Sequence, residues 1–480
     1  AAGVQELPAG AGRVQPMAPL PVLGFQLLLI SLCSSAAVGV KSFTVWSDPI
    51  FLHRGEVHNS WVSPKGLPAE ITRKFANRTM NLRMMQLDIV RVDNRTGEET
   101  VLPLYEAYNH HHALLIGPSE SLWQVYNYSK MSPGLGPHSS SGHSGHGGCM
   151  MRGSAVRDLL GEVSRHVAKP LSRLAVFGGA SGAEFRGTST AIPAPYAYRV
   201  QYPVESFMVL MHFINVRGFS PKAKLWECPC TKARNINLTS NTIDGRLLLP
   251  FRCSEQLLRE RNTACSLATY QGGYRCCDNG VYLTEEPPPP APPDQIQAKF
   301  TFEYLEDDDV APESVRPLTS PGCCDATADL EARHFGNVEY DVAQCQPGVA
   351  PELCVHEASS VQHFDMPTNE SGHDEPVDPD EEFELIQAWG HQHVGALGME
   401  LYRDASSELL CRTTPVYGTG SAPGNEAGFL VGIPPCVWGP PPLAAPPRLR
   451  RQERLRTVAR YNSTQRRHGV MSLWLMKSAP

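Results

Sequence analysis

The stretch Phe383-Glu384-Leu385-Ile386-Gln387-Ala388-Trp389, followed by Gly390-His391-Gln392-His393, decides the fold expected for this chain. Its composition predicts a β-strand, and Met399-Glu400-Leu401-Tyr402 predicts another just after it. Because side chains alternate between the two faces of a strand, His391 and His393 point to one face. Two imidazoles placed in this way can share one metal ion, although such a pair alone is a weak signal.

Further strand patterns carry histidines elsewhere in the chain. The triplet His110-His111-His112 precedes the apolar run Ala113-Leu114-Leu115-Ile116, and His212 ends the run Phe207-Met208-Val209-Leu210-Met211. Phe300, Phe302 and Tyr304 alternate with polar residues, which is typical of a half-buried strand. With 42 prolines and 40 glycines, the chain favours many short strands and turns. We therefore expect an all-β protein.

The length of 480 residues predicts more than one domain. We expect upstream residues and a signal peptide at 1–37, an N-terminal β-sandwich at 38–216, a Cys-rich and Pro-rich connector at 217–297, and a C-terminal β-sandwich at 298–480. Both sandwiches are expected to be jelly-roll-like. A flexible Gly/Ser/His-rich loop is expected at 132–148, and helical spacing predicts one amphipathic helix at 155–171.

A secretory signal is predicted from Met17 onward, with an apolar core at 23–32 and small residues that fit cleavage near residue 36 or 37. Residues 1–16 resemble upstream read-through. All but one of the 14 cysteines follow the signal, and most should pair in an oxidising compartment. We thus predict a secreted, disulfide-bonded protein without stable membrane insertion after signal cleavage. Six N-x-S/T sequons also predict glycosylation: Asn77, Asn94, Asn127, Asn237, Asn369 and Asn462.

Charge and motifs exclude several functions. The formal net charge of -7 gives no electrostatic case for binding nucleic acid. The sequence has no P-loop, no dinucleotide-binding glycine motif in a βαβ context and no Ser/His/Asp nucleophile motif. The expected partner is a small-molecule or cell-surface substrate whose identity the sequence does not give.

The chain resembles the plant stress up-regulated Nod-nineteen (SURNod) family. The residues that carry this resemblance lie mainly near the C-terminus, and others lie upstream. They are Gly390-His391-Gln392-His393, Tyr417-Gly418, Gly424-Asn425-Glu426-Ala427-Gly428, Tyr461-Asn462-Ser463-Thr464-Gln465-Arg466, His468-Gly469-Val470-Met471, Gly182-Ala183-Glu184, Thr188, Ile192-Pro193, Gly272-Gly273 and Cys276-Cys277. The resemblance runs from about residue 41 to 477.

A more distant resemblance is to the copper type II, ascorbate-dependent monooxygenases, which include peptidyl-glycine hydroxylase and dopamine β-hydroxylase. The order of adjacent histidines, a single histidine, His-x-His and a methionine is similar in both. This resemblance implies two jelly-roll domains and two copper ions. It implies His111, His112 and His212 as ligands of the first copper, although His110-His111 could equally be the adjacent pair. It implies His391, His393 and Met471 as ligands of the second copper.

Two positions depart from the peptide-amidating enzymes of that family. Trp389 stands where those enzymes carry an arginine that grips the substrate carboxylate, and Leu475 stands where they carry a substrate-contacting tyrosine. A glycine-extended peptide substrate is therefore not expected. Tyr417, Asn425 and Glu426 either line the second site or form a structural turn.

Imidazole binds both oxidation states of copper, whereas thioether sulfur favours Cu(I). The leading function is therefore a secreted stress-associated copper-binding protein with monooxygenase-type oxidoreductase activity that uses O2 and an ascorbate-like reductant. The sequence assigns no catalytic residue. The alternative is a non-catalytic extracellular protein that binds a metal or another ligand on the same scaffold. A third hypothesis is a disulfide-bonded structural protein that binds no metal.

Overall fold

A computed structural model describes six stretches of the chain: 40–131, 173–219, 292–305, 314–326, 339–364 and 378–480. Short gaps fall at 53, 55–56, 94, 179–181, 322–323, 379 and 466, and four two-residue strands between 225 and 284 are also described. The signal peptide, the loop expected at 132–148, the helix expected at 155–171 and most of the Cys-rich connector lie outside the described residues. Those predictions stay untested.

Strands dominate the first part of the described chain. In chain order they are β1 (Val40–Trp46), β2 (Ile50–Leu52), β3 (Val57–Trp61), β4 (Lys65–Gly66), β5 (Met80–Val92), β6 (Glu99–Val101), β7 (Ala107–Gly117), β8 (Ala175–Gly178), β9 (Tyr196–Val200) and β10 (Ser206–Asn215). Helix α1 (Ala69–Lys74), helix α2 (Ser119–Met131) and a 3-10 segment (Ala183–Arg186) lie among these strands.

Strands also dominate the later part. They are β11 (Leu225–Trp226), β12 (Thr242–Ile243), β13 (Arg246–Leu247), β14 (Leu283–Thr284), β15 (Asp294–Leu305), β16 (Arg316–Pro317), β17 (Glu339–Val342), β18 (Val355–His363), β19 (Glu382–Gln392), β20 (Ala396–Arg403), β21 (Glu408–Thr413), β22 (Val416–Tyr417), β23 (Leu430–Gly432), β24 (Cys436–Val437), β25 (Arg448–Arg450), β26 (Arg454–Asn462) and β27 (Arg467–Ala479). A second 3-10 segment spans Pro351–Leu353.

Two sheets form the first sandwich. One sheet has the order β1-β15-β5-β9-β16, with β2 and β6 at its side, and the other has the order β3-β10-β7-β8, with β4 beside β10. Phe300 and Phe302 of the first sheet and Leu114 and Phe207 of the second belong to one buried apolar cluster. The core therefore lies between the two sheets, and burying it from water is the main stabilising contribution.

The strand that carries Phe300, Phe302 and Tyr304 alternates between buried and partly exposed residues, as predicted. This strand, β15, was expected to be the first strand of the C-terminal domain, but it lies in the first sandwich. It pairs with β1 on one side and β5 on the other, with Phe302 opposite both Phe43 and Met85. The chain thus returns to the first sandwich after the connector, because these aromatic side chains complete the core of that sandwich.

The second sandwich packs the sheet β17-β27-β19-β24 against the sheet β18-β26-β20-β21. Trp474 and Met476 from the first of these sheets share a buried cluster with Met399 and Leu455 from the other. A disulfide between Cys411 of β21 and Cys436 of β24 joins the two sheets, with Cα atoms 5.9 Å apart. The expected all-β sandwich class is confirmed.

Other cysteines also pair as predicted, since Cys345 and Cys354 form a second disulfide and Cys324 is disulfide-bonded too. Disulfides are typical of proteins of oxidising compartments. No helix among the described residues is long and apolar enough to cross a membrane.

The segment after Ala183–Arg186 packs directly against β23. The Gly187 amide donates a hydrogen bond of 2.8 Å to the Val431 carbonyl, and the Ile433 amide donates one of 2.9 Å to the Thr188 hydroxyl. A Cβ atom on Gly187 would clash with the Val431 carbonyl oxygen, so only glycine permits this approach. The 3-10 segment is thereby fixed beside residues of both halves of the chain.

Candidate metal centre

The side chains of His391, His393 and Met471 lie on one face of the second sandwich. Strands β19 and β27 are antiparallel, with His391 opposite Leu473 and Gln392 opposite Ser472. Residues opposite each other share a face, and alternation brings His393 and Met471 to that same face. The rings of His391 and His393 have centroids 5.2 Å apart at an interplanar angle of 78°. A metal–nitrogen bond of about 2 Å lets one ion contact both rings.

The hydroxyl of Tyr461 joins the backbone of two of these residues. It accepts a hydrogen bond of 2.7 Å from the His393 amide and donates one of 2.6 Å to the Met471 carbonyl. Tyr461 is fully buried, and desolvation raises the pKa of its phenol well above the ordinary value. The hydroxyl therefore stays protonated and holds His393 close to Met471.

Glu184 orients the other histidine. Its carboxylate Oε1 lies 2.7 Å from Nδ1 of His391, and each side chain is only 1% exposed. Oε1 also accepts a hydrogen bond of 3.1 Å from the Gly182 amide. When Nδ1 of His391 donates to this carboxylate, Nε2 is the ring nitrogen that is left to bind a metal ion. Metal-bound histidines commonly have such a carboxylate partner.

The segment that contains Glu184 also contacts β7, the strand that carries the expected first-copper ligand His112. The ring of Phe185 lies 6.3 Å from that of His112, and the Asn109 side-chain amide donates a hydrogen bond of 3.0 Å to the Gly182 carbonyl. The sequence resemblance marked Gly182-Ala183-Glu184 but gave Glu184 no role. The sequence could not indicate that role, because Glu184 and His391 are 207 positions apart in the chain.

The structure does not bring all three expected ligands of the first copper to one face of their sheet. In the register of β7 and β10, His212 lies opposite His111, and His112 lies opposite Met211. His112 faces the sandwich core near Phe300, with ring centroids 6.3 Å apart. His212 follows Leu210 on the other face, which α2 covers. The side chains of His110 and His111 lie outside the described residues.

Within the described part of the chain, no three His, Cys, Asp or Glu side chains come together as a metal-binding group. The second copper set instead combines two imidazoles with a thioether, a donor set that suits Cu(I). Both copper assignments stay predictions, and the geometry favours the second.

Trp389 and Leu475, the two departures from the peptide-amidating enzymes, lie opposite each other in β19 and β27. They form one buried apolar cluster with Met471 and Leu473. This face therefore offers an apolar wall next to the two histidines where those enzymes would place an arginine and a tyrosine.

The glycine-rich motif around Glu426 is held by hydrogen bonds to the first sandwich. The buried carboxylate of Glu426 accepts hydrogen bonds from the Leu104 amide, the Gly424 amide and the Arg186 guanidinium. The Tyr417 hydroxyl accepts a hydrogen bond of 2.9 Å from the Gly395 amide and donates one of 2.9 Å to the Ala396 carbonyl. Of the two readings left open for these residues, these contacts support the structural turn.

A small cavity of about 40 Å³ lies near the candidate centre. Residues from both sandwiches line it, among them Met85, His112, Tyr198, Trp389 and Lys477. A volume of this size holds a few water molecules or a small organic group.

Comparison with known proteins gives a family assignment. No curated protein matches the chain. The structure of the Macrobrachium rosenbergii nodavirus aligns over 98% of this chain and 98% of its own, at 6% identity and a TM-score of 0.15, and this likeness carries no argument. The model of the family described as stress up-regulated Nod 19 matches residues 172–480, which is more than half of the chain. The protein therefore belongs to the SURNod19 family, whose description associates it with stress.

Proposed function

We propose that this protein binds copper through His391, His393 and Met471. The observation that supports this proposal is the position of two imidazoles and one thioether on one face of adjacent strands, with the two imidazole rings 5.2 Å apart. His391 is oriented by the Glu184 carboxylate, and the backbones of His393 and Met471 are joined by the Tyr461 hydroxyl. Ligands fixed in this way lose little conformational freedom when they bind an ion, which raises affinity.

Of the three proposed copper ligands, only His393 is partly exposed to solvent. His391 and Met471 are buried, with 1% and 3% exposure, whereas His393 is only partly buried. An ion would therefore enter past His393. Copper held there would supply O2-dependent oxidation with an external reductant such as ascorbate. The chain itself contributes the orientation of the ligands and the apolar surroundings of Trp389 and Leu473.

We place this protein in the secretory pathway, since its disulfides agree with an oxidising compartment. In that compartment we expect N-linked glycosylation at the six N-x-S/T sequons. Its substrate would be a small molecule or a cell-surface group.

The non-catalytic alternative has its own support. Trp389 and Leu475 pair with each other and are both apolar. The peptide-amidating enzymes carry a substrate-binding arginine and tyrosine at these two positions, so this chain lacks both contacts. Ascorbate-dependent oxygen consumption by the copper-loaded protein would support catalysis. Copper binding without such consumption would support a non-catalytic copper-binding protein.

The test of the binding proposal is copper stoichiometry on the secreted protein and on His391→Ala, His393→Ala and Met471→Leu. We expect the histidine variants to lose one bound copper, and Met471→Leu to lose affinity mainly for Cu(I). His363→Ala is the matched control, because His363 lies on β18, in the sheet that carries none of the proposed ligands, and its Nδ1 lies 2.7 Å from the Gln452 carbonyl. Unchanged copper binding by both histidine variants would overturn the proposal. A copper lost in His212→Ala would establish the first set as well.

A further inference from the structure

Lys477 is a lysine buried where the two sandwiches meet. It lies on β27 and is 6% exposed. Its Nζ donates a hydrogen bond of 2.7 Å to the Ser320 hydroxyl, and it lies 5.0 Å from the ring centroid of Tyr198 and 5.6 Å from that of Trp389. Among the described residues no carboxylate pairs with this amine. Buried lysines are rare unless they are paired, so this one calls for a physical account.

The cavity described above adjoins this amine. Tyr198, Trp389 and Lys477 all line it, and much of the remaining wall is apolar, with Met84, Met85 and Phe177. None of the lining residues is acidic. An amine in such surroundings has little solvation for its charged form and faces a cavity of about 40 Å³.

We propose that Lys477 is a nucleophilic amine that captures a small aliphatic aldehyde in this cavity. The nitrogen lone pair forms a bond to the carbonyl carbon while the π electron pair of the carbonyl moves onto oxygen. Nitrogen then loses its two protons and the oxygen gains two, the carbon–oxygen bond breaks, and one water leaves so that a neutral imine remains. The Ser320 hydroxyl lies within hydrogen-bond distance of Nζ and can pass these protons. No oxidant or reductant enters this step.

The protonation state of the amine agrees with this role. Burial lowers the pKa of Lys477 to about 7, so a large fraction is neutral and nucleophilic at neutral pH. Burial also raises the pKa of Tyr198, whose hydroxyl is hydrogen-bonded to Ser320 and stays protonated. An exposed lysine at the same pH is almost wholly protonated.

The experiment treats the full-length protein at pH 7 with propionaldehyde and cyanoborohydride, which reduces the imine to a stable propylated amine. Peptide mapping by mass spectrometry then compares Lys477 with Lys41, an exposed lysine of β1. We expect Lys477 to be modified at least about tenfold faster, because far more of it is neutral. In protein unfolded by urea the two lysines should react at equal rates, since the effect comes from the fold.

Two variants sharpen this test. Ser320→Ala should slow the modification of Lys477 and leave that of Lys41 unchanged. Lys477→Arg should remove the fast-reacting site and keep copper stoichiometry, because Lys477 is not among the proposed copper ligands. Modification of Lys477 no faster than that of Lys41 in the folded protein would overturn the proposal. This result would leave the copper proposal untouched.

Discussion

The carboxylate of Glu184 lies 2.7 Å from Nδ1 of His391, and both side chains are shielded from water. Glu184 belongs to a 3-10 segment that follows β8, and His391 belongs to β19 of the second sandwich. The contact thus joins the two halves of the chain at the candidate metal centre.

Replacing Glu184 with glutamine should weaken copper binding about tenfold or more, because a carboxylate partner fixes the orientation of the ligand and raises its basicity. Copper titration of purified Glu184→Gln measures the loss. Glu303→Gln, on β15, is the matched control and should bind copper as the wild type does. An unchanged affinity in Glu184→Gln would show that this contact serves packing alone.

Replacing Tyr461 with phenylalanine should lower the free energy of unfolding by about 2 kcal/mol, because the variant leaves the His393 amide and the Met471 carbonyl without this hydroxyl. Urea unfolding monitored by fluorescence checks the change. Copper affinity should fall as well, since no hydroxyl then links the backbones of the ligands His393 and Met471. Tyr402→Phe provides the control, as the Tyr402 hydroxyl bonds Glu400 on the sheet away from the centre. Equal stability of Tyr461→Phe and the wild type would contradict the prediction.

Removing the disulfide between Cys411 and Cys436 should cost about 3 kcal/mol, because the bond closes a loop across 25 residues in the unfolded chain. The double serine variant, compared by thermal unfolding, tests this value. The bond between Cys345 and Cys354 spans only 9 residues, so its removal should cost less. A larger loss for the shorter loop would show that strain or packing outweighs chain entropy here.

Lys477 should make the stability of the protein depend on pH. Burial lowers the pKa of this amine from 10.5 to about 7. Between these values the unfolded chain holds a proton here that the folded protein does not, so the free energy of unfolding rises with pH through this window. Below about pH 7 the folded protein carries the buried charge and the full destabilisation remains.

The variant Lys477→Met should therefore be more stable than the wild type at pH 6, on the order of 2 kcal/mol, and should lose much of the rise in stability towards pH 10. Melting temperatures across this range measure both effects. Lys41→Met changes an exposed lysine and should follow the wild type. Wild-type and Lys477→Met curves that run parallel would show that Lys477 is solvated in the folded state.

The strand character of much of this chain could be read from short-range patterns. The alternation of Phe300, Phe302 and Tyr304 predicted a half-buried strand, and the structure confirms that pattern. The placement of this strand could not be predicted, because pairing with β1 and β5 depends on a core assembled from segments more than two hundred residues apart. Helix α2 was missed, and its residues Leu122 and Val125 are buried by packing against β7 and β10.

The sequence by itself determined that His391 and His393 share a face, because the two-residue period of a strand is a local property. It also predicted that cysteines pair, as the disulfides Cys345–Cys354 and Cys411–Cys436 do, whereas secretion stays a prediction. Only the tertiary structure decided that Met471 lies on that same face, that His112 and His212 point to opposite faces, and that Glu184 meets His391. Strand register and the packing of distant segments set these relations, and neither is encoded in the spacing of residues along the chain.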